Sequence, residues 1–418
     1  MPMCFQPRDR PPPPDEGPLP ADDQMLVRFF GRLVARLTAS ERDALTAWSF
    51  GQTCKTNSMC SGTEVPSLIC DALAQALQEH GSTFSVHAEF AVEVNSAKRS
   101  FIAKVFPSLK HIFHDVTELH KGLDRDHLAG NKKVAVPTMG QGWLFIGYPC
   151  TTVSLLNPQA HTLAHRGAVR SGSLKTGKVF KGLLDYLDYC MENDEGRAQR
   201  NVPDIIFLEN VKNLGAENQF INDNRGDGEM ESNLQASINL LEAYGFCVVP
   251  FLLQPSLFGN PQSRNRIWMV ALSSRQMQCC GLSADAVKQS MEGLMARMVG
   301  HAAQPLDFFL LPEQDALVQQ HYEQFRDKTS SSSQPCKRKH DGMPKWVDKH
   351  IEAFNSTGKC WWRSDLPDPA LLDFFPGLRA LNARHLQLIR HLGISIPSSD
   401  HCTLDVSQSL GRCKPSKQ

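Results

Sequence analysis

The 418-residue chain lacks the features that mark several large protein classes. It has 44 basic and 44 acidic residues and no net charge, so any contact with nucleic acid must come from local patches. No apolar run approaches the roughly 18 residues that span a bilayer, and no positively charged apolar leader opens the sequence. The thirteen cysteines form no Cys-x-x-Cys pair, which favours reduced thiols over a disulfide framework or a zinc site. We therefore expect a soluble, intracellular protein without a metal site.

Apolar residues make up 41% of the chain, enough for a sizeable core and for two or three domains. Residues 1–24 hold four consecutive prolines and are expected to be disordered. Residues 25–52 are predicted to form a helical extension, because Met25, Phe29, Leu33 and Leu37 recur every four residues. The remaining boundaries are predicted at 53–272 for the main domain, 273–374 for a region with a basic, serine-rich loop, and 375–418 for a C-terminal segment.

Within 53–272, short apolar runs alternate with longer helical stretches. This alternation predicts a doubly wound α/β sheet, and ligands of such sheets bind at the carboxyl ends of the strands. The predicted strands are Val86–Val94, Trp143–Tyr148, Asp204–Leu208, Phe246–Leu253 and Ile267–Leu272. The predicted helices are Val65–Glu79, Gly177–Cys190 and Leu234–Tyr244, with two more over Ala284–Val299 and Glu313–Phe325.

Three small or acidic segments stand at the predicted strand ends in the first half of the domain. Residues 59–64, with Gly62 at their centre, lead into a helix whose N-terminus can approach a ligand, although an ordinary strand-to-helix turn fits equally well. Glu93 ends the second strand, where an acidic residue can accept hydrogen bonds from ribose hydroxyls. Asp115 follows a third candidate strand and could reach an adenine amino group. Their order favours a nucleoside cofactor.

Residues suited to catalysis follow the later strands. Cys150 comes directly after Pro149 at the end of a central strand, where a thiolate could face a ligand; a buried, inert cysteine is the alternative. Glu209, in the Glu-Asn-Val triplet that ends another strand, could act as an acid or instead cap a helix. Arg264 and Arg266 are two residues apart, so on an extended segment both face the same side and suit phosphate or carboxylate recognition.

In this order, the segments resemble the cytosine-C5 DNA methyltransferases. The resemblance depends on Pro149-Cys150, the triplet 209–211 and the Gln262-x-Arg264-x-Arg266 pattern, and it extends more faintly to 381–384 and 405–409. The sequence is a divergent member, because Thr151 stands where the family usually has Gln. The segment 59–64 also departs from the first motif of the family. That motif usually has an aromatic residue and paired glycines, and this sequence has Cys60, Gly62 and Glu64 instead.

The resemblance implies a Rossmann-like methyltransferase fold dependent on S-adenosylmethionine, with a smaller inserted target-recognition domain at 273–374. Cys150 would add to C6 of a flipped cytosine, Glu209 would hold the base edge and supply a proton near N3, and Arg264 would stabilise the base or a phosphate. Arg266 would support the structure of the site. The residues implied to hold the cofactor are Ser61, Gly62, Thr63, Glu93, Val94, Asp115 and Val116.

DNA is the implied partner. Lysines in the recognition region would contact phosphates, and Trp361 and Trp362 would stack on bases, whereas Trp346 is more typical of a small core. The basic cluster 337–339 fits a nuclear signal if the source is eukaryotic. No protein partner is indicated by the sequence.

Two alternative functions stay open at this point. A tRNA cytosine-5 methyltransferase of the same fold is one, since a branch of the family modifies tRNA. A catalytically silent protein that binds nucleic acid or cofactor as a regulator is the other, because Thr151 and the first motif depart from the family pattern. A nicotinamide dehydrogenase is disfavoured, because no G-x-G-x-x-G opens the first helix.

Overall fold

The computed structural model describes residues 3–4, 24–140, 142–155, 157, 159–160, 162–194, 201–216, 231–258, 264–299, 316 and 319. Two compact units divide the chain after residue 304, and the described part of the second unit is limited to Ala316 and Gln319, both helical. The predicted recognition region from 300 onward, the helix Glu313–Phe325 apart from those two residues, and the C-terminal segment lie outside the described residues.

Ten strands and ten α-helices form the described part of the first unit. The strands are β1 (Met3–Cys4), β2 (Thr53–Met59), β3 (Ser85–Val92), β4 (His111–Phe113), β5 (Leu123–Asp126), β6 (Lys132–Ala135), β7 (Gly142–Ile146), β8 (Ile205–Val211), β9 (Phe246–Leu253) and β10 (Arg266–Ser273). The helices are α1 (Met25–Ala35), α2 (Ala39–Ser49), α3 (Val65–Glu79), α4 (Ser96–Val105), α5 (Leu163–Arg166), α6 (Ala168–Ser171), α7 (Leu174–Glu192), α8 (Asn233–Ala243), α9 (Ser274–Cys279) and α10 (Ala284–Met298).

All ten strands belong to one sheet with the order β1-β9-β10-β8-β7-β2-β3-β4-β5-β6. The central strands β8, β7, β2, β3 and β4 are parallel, whereas β10 is antiparallel to both of its neighbours. From β2 the chain winds through β3 to β4, and from β7 it winds the opposite way to β8. The predicted doubly wound, Rossmann-like α/β fold is therefore confirmed, with β2 and β7 at its switch point.

Both faces of the sheet are covered by helices, as expected for parallel strands. On one face, Phe180 and Leu183 of α7 pack in the main core against Phe90 of β3 and Leu208 of β8. On the other face, smaller clusters place Ile102 of α4 beside β3 and β4, and Met291 and Met295 of α10 beside β9. Alternate residues of one strand therefore face opposite layers, as Val248 and Val249 of β9 do.

Most predicted elements match the structure within a few residues. The helix Val65–Glu79 and the strand Phe246–Leu253 have the predicted bounds, whereas α7 begins three residues earlier than expected, at Leu174. The predicted N-terminal extension consists of two helices, α1 and α2, because Thr38 caps a new helix with a capping box that includes Glu41. Helix α1 packs on α3 through Val27, as expected for an extension that covers the domain.

Some elements were not predicted. The helix α4 and the hairpin β5–β6 carry many charged residues and lack a clear apolar period, which is why the pattern did not indicate them. Met3 and Cys4, which belong to the segment 1–24 expected to be disordered, pair in parallel with β9, whereas residues 1–2 and 5–23 lie outside the described residues. Eight cysteines with described side chains are free thiols. Within the described ranges, we found no helix of the length and hydropathy needed to cross a membrane.

Two helical glycines provide a matched test of packing, one in the contact between α6 and α7 and the other on α10. A Cβ on Gly177 of α7 would collide with the backbone of Ala168 in α6, whereas a Cβ on Gly293 of α10 meets nothing within 4 Å. We expect Gly177→Ala to lower the free energy of unfolding by about 2 kcal/mol. Gly293→Ala should raise it by about 0.5–1 kcal/mol, because alanine is the better helix former. Urea denaturation measures both values, and equal effects would contradict the packing argument.

Candidate active site

The predicted site residues follow the carboxyl ends of the parallel strands. Because β2 pairs with β3 on one side and with β7 on the other, the turns after these strands meet at one edge of the sheet. The turn after β2 and the ends of β3 and β4 form one half of this edge, and the segments after β7 and β8 form the other half. The two halves hold the cofactor residues and the catalytic residues predicted from the sequence.

The turn after β2, residues 60–64, is tied closely to the end of β3. Gly62, with φ of +61°, donates its backbone N–H to a carboxylate oxygen of Glu93 at 2.9 Å. The hydroxyl of Ser61 accepts a hydrogen bond from the backbone N–H of Val92 at 3.0 Å, and the Ser61 N–H donates to the Val92 carbonyl. Thr63 is exposed. Three of the predicted residues, Ser61, Gly62 and Glu93, therefore form one hydrogen-bonded unit.

The end of β3 is fixed by a residue that the sequence analysis did not single out. Arg99 of α4 is buried and donates to the carbonyl oxygens of Glu93 and Val94 at 2.8 and 2.7 Å. Glu93 is itself buried, and its second oxygen accepts from the N–H of Asn95 at 2.8 Å. The Val94 side chain is 70% exposed, an unusual position for an apolar group next to a buried carboxylate. The edge thus presents an apolar surface beside a fixed acidic group.

Asp115 lies after β4 and caps the short 3-10 helix that begins at Val116. One of its carboxylate oxygens accepts from the N–H and the hydroxyl of Thr117, both at 2.9 Å. The side chain of Val116 is buried in the main core, so its contribution to a ligand site is confined to the backbone. Burial, together with the charges of Glu93 and Asp115, raises the pKa of the Cys60 thiol to about 12. Cys60 therefore lies near both carboxylates.

The chemistry of these groups fits the cofactor implied by the resemblance. S-adenosylmethionine offers ribose hydroxyls that need acceptors, an adenine ring that needs an apolar surface and an adenine amino group that donates. Glu93, the exposed Val94 and Asp115 provide these three kinds of contact. The turn also leaves room, because a Cβ on Gly62 would meet no atom within 4 Å.

The segment that carries Cys150 is held at four points. Asn210 and Asn213, at and after the end of β8, donate from their side-chain amides to the carbonyl oxygens of Tyr148 at 3.1 Å and Val153 at 2.5 Å. Thr176 of α7 donates its hydroxyl to the carbonyl of Pro149 at 2.6 Å, and its N–H donates to the Thr152 hydroxyl at 3.2 Å. These clamps on both sides of Cys150 fix its backbone.

Cys150 itself is a free, partly buried thiol at the surface of the main core. Its carbonyl oxygen accepts from the N–H groups of Val153 at 3.0 Å and Ser154 at 2.8 Å, which closes a turn directly after the cysteine. The alternative of a fully buried, inert cysteine does not describe this position, although it does describe Cys70 and Cys190.

Glu209 is paired with Arg266. The Arg266 Nε lies 2.7 Å from a carboxylate oxygen of Glu209, and both side chains are partly buried. Glu209 extends over the end of β7, where a Cβ on Gly147 would lie 3.8 Å from its other carboxylate oxygen. Glu209 and Asn210 do not cap a helix, since Glu209 makes this ion pair and Asn210 holds the Tyr148 carbonyl.

Arg264 and Arg266 occupy different environments. Arg266 is the first residue of β10, whereas Arg264 precedes the strand and is exposed. The adjoining Gln262 lies outside the described residues, as do the fainter motifs at 381–384 and 405–409. Arg266 makes the ion pair with Glu209, and the roles predicted for both arginines stay predictions.

The sequence analysis did not predict the residues whose side chains donate hydrogen bonds to the backbone of the candidate site. Arg99, Thr176 and Asn213 do not resemble a motif, and each donates from its side chain to a backbone carbonyl. The acceptor lies five or six residues from Arg99, 27 residues from Thr176 and 60 residues from Asn213. A buried polar residue gives no signal in a pattern of apolar periods, so no signal in the chain pointed to them. Among the described residues, no group of three or more His, Cys, Asp or Glu side chains could hold a metal ion.

The Asn210 clamp can be tested by its effect on stability. Asn210→Ala removes the donor to the Tyr148 carbonyl and leaves that buried oxygen unpaired, so we expect a loss of about 1–3 kcal/mol in the free energy of unfolding. The control is Asn239→Ala, an exposed asparagine on α8, which should change stability by less than about 0.5 kcal/mol. Urea denaturation gives both values, and a neutral Asn210→Ala would argue against the clamp.

Solved structures with similar chains include methyltransferases. A DNMT2 variant from Spodoptera frugiperda is 19% identical, with a TM-score of 0.31 over 53% of this chain and 50% of that one. The Entamoeba histolytica methyltransferase EhMeth is 13% identical, with a TM-score of 0.32 over 53% of each chain.

The chain is also similar to two curated fungal proteins, each named DNA (cytosine-5-)-methyltransferase DMT5. It is 31% identical to that of Cryptococcus neoformans over 165 residues, which are 39% of this chain and 6% of the relative. It is 26% identical to that of Verticillium dahliae over 227 residues, 51% of this chain and 10% of the relative. The chain thus spans a small part of these relatives. The model of the C-5 cytosine-specific DNA methylase family matches residues 69–359, more than half of the sequence, and the chain belongs to that family.

Proposed function

We propose that the chain is a DNA (cytosine-5-)-methyltransferase that methylates C5 of a cytosine extruded from the duplex. The observation that carries the proposal is the arrangement at the edge of the sheet. There, a clamped, partly buried Cys150 follows β7, and Glu209, held by Arg266, extends over the end of the same strand. Family membership supports the same reaction.

The cofactor half of the edge would hold S-adenosylmethionine, which supplies an electrophilic methyl group when bound. Glu93 would accept hydrogen bonds from the ribose hydroxyls, and its carboxylate is already oriented by the N–H groups of Gly62 and Asn95. Val94 would cover one face of the adenine ring, and Asp115 would accept from the adenine amino group. Ser61, Thr63 and the backbone at Val116 would complete the pocket.

Cys150 provides the nucleophile in this proposal. Its sulfur forms a bond to C6 of the cytosine, and the electron pair of the C5–C6 double bond makes C5 nucleophilic. Glu209 holds the amino edge and donates a proton near N3, so that negative charge does not build up on the ring. After C5 has been methylated, a base removes its proton, the C5–C6 double bond forms again, the sulfur departs as the Cys150 thiolate, and the proton on N3 returns to Glu209.

Arg266 would act through Glu209. Its guanidinium orients the carboxyl group of Glu209. Because both side chains are partly buried, Glu209 can adopt few other conformations. Arg264 is exposed and free to approach the base or a flanking phosphate. An extruded base is needed, because C6 of a stacked cytosine is out of reach of any side chain.

DNA is favoured over tRNA as the substrate because the matched family model and both fungal relatives are DNA methylases by name. The predicted contacts of lysines and tryptophans in 273–374 with DNA belong to the same proposal. A nuclear location would follow for a eukaryotic source, consistent with the basic cluster 337–339.

Transfer of tritiated methyl groups to duplex DNA and to tRNA in parallel tests the substrate. We expect label on DNA, and Cys150→Ala should abolish it because the variant lacks the thiol that follows the end of β7. Cys279→Ala, which changes an exposed cysteine, serves as the matched control and should retain activity. Label on tRNA alone would favour the RNA alternative.

Duplex DNA that contains 5-fluorocytosine separates an enzyme from a silent regulator. With S-adenosylmethionine added, C5 is methylated but its fluorine cannot then leave as the proton does, so the bond between the Cys150 sulfur and C6 persists and the complex survives denaturing electrophoresis. The adduct should form with the wild-type chain and disappear with Cys150→Ala. Binding of DNA without any adduct would support the regulator instead.

The ion pair between Glu209 and Arg266 predicts that kcat depends on Arg266. Arg266→Ala should lower kcat by about 10- to 100-fold, since Glu209 loses the partner that orients it, and Arg266→Lys should recover part of the loss. Arg125→Ala, an exposed arginine on β5, is the control. Single-turnover transfer with saturating DNA measures these rates, and unchanged kcat in Arg266→Ala would remove Arg266 from the mechanism.

A further inference from the structure

Glu64 adopts a backbone conformation that is unfavourable for a residue with a side chain. Its φ is +60° and its ψ is 39°, in the left-handed region, and it directly precedes helix α3. Such a conformation costs free energy in any residue other than glycine and persists only where the surroundings hold it. Cys60, at the other end of the same turn, has a φ of +56°. The turn after β2 is therefore strained at both ends, with Gly62 between them.

The side chain of Glu64 is buried and makes two contacts that hold this conformation. One carboxyl oxygen accepts from the hydroxyl of Ser58 in β2, and the other accepts from the hydroxyl of Ser67 in α3 at 2.8 Å. Burial raises the pKa of Glu64, and the serine hydroxyls oppose that shift. The carboxyl group thus connects the end of the strand to the start of the helix.

The hydrogen bonds continue from Glu64 to the end of β3. The Ser58 hydroxyl also contacts the Ser61 hydroxyl at 2.5 Å, and Ser61 in turn accepts from the N–H of Val92. The next residue, Glu93, accepts from the N–H of Gly62 at 2.9 Å. A shift of the turn therefore displaces the partner of Glu93, the carboxylate that would hold the ribose.

We propose that Glu64 is a positioning residue of the cofactor turn, with Ser58 and Ser67 as its partners. It holds residues 60–64 in the conformation in which Gly62 orients Glu93, without touching the cofactor itself. This inference rests on the proposed function, because S-adenosylmethionine is the ligand that the turn and Glu93 would bind. It predicts that loss of the carboxyl contacts weakens cofactor binding more than it weakens the fold.

Isothermal titration of the 418-residue chain with S-adenosylmethionine, without DNA, measures the effect directly. Glu64→Ala keeps the strained position but removes both acceptors, and we expect its Kd to rise about tenfold, which corresponds to about 1.4 kcal/mol. Glu64→Gln keeps an acceptor oxygen at the same place and should stay within about threefold of the wild type. Glu79→Ala, an exposed glutamate at the far end of α3, should leave Kd unchanged.

Titrations are made well below the thermal midpoint of each variant, so that the fitted stoichiometry reports the folded fraction separately from Kd. Should Glu64→Ala not fold, Ser67→Ala removes a single donor and should raise Kd about threefold. A wild-type affinity in whichever of these two variants folds overturns the inference while the proposed function stands. A glutamine variant as weak as the alanine variant also overturns it. Failure of the wild-type chain to bind S-adenosylmethionine overturns the cofactor assignment, and this inference with it.

Discussion

Parallel pairing of β2 with both β3 and β7 is the constraint on which the candidate site depends. Parallel strands all end at the same edge, and their connections leave that edge in opposite directions from β2 and β7. In sheets of this kind a crevice opens where the directions diverge, and here the turns at that place come from distant parts of the chain. Glu93 and Cys150 are 57 residues apart in sequence (150 − 93), yet both follow strands that flank β2 in the sheet.

Backbone strain is concentrated in the loops beside this crevice. Four residues other than glycine have positive φ in the described part of the chain, namely Cys60, Glu64, Asn131 and Leu174. Two of them form the ends of the cofactor turn, and Leu174 begins the helix whose Thr176 holds the carbonyl of Pro149. The side-chain hydrogen bonds that hold these loops compensate for strain that isolated peptides would release. We infer that the site is shaped before any ligand arrives.

The two halves of the candidate site differ in the partners of their buried or partly buried carboxylates. Glu93 is buried, and its two carboxylate oxygens accept from the backbone N–H groups of Gly62 and Asn95, which leaves lone pairs on both oxygens for hydroxyl donors. Glu209 is paired with Arg266 and extends over the strand that leads to Cys150. The half with Glu93 suits a nucleoside, whose hydroxyl and amino groups donate hydrogen bonds. The half with the Glu209–Arg266 pair suits proton transfer to a nucleobase. The proposed reaction would place a methyl donor at the first half and a nucleobase at the second.

The sequence by itself determined the architecture and the family, because apolar periods report burial and because Cys150 and Glu209 stand at the carboxyl ends of predicted strands and Arg266 directly before one. It also indicated Glu93 and Asp115 by the same rule. Only the tertiary structure decided that Arg266 rather than Arg264 contacts Glu209, and that Arg99, Thr176 and Asn213 hold the loops. Asn213 and Thr176 bond to backbone atoms 60 and 27 residues away. Arg266 and Glu209 meet from neighbouring strands, and Arg99 reaches carbonyl oxygens at the end of β3 from helix α4. No local pattern encodes such a pairing, since it exists only after the strands have taken their order.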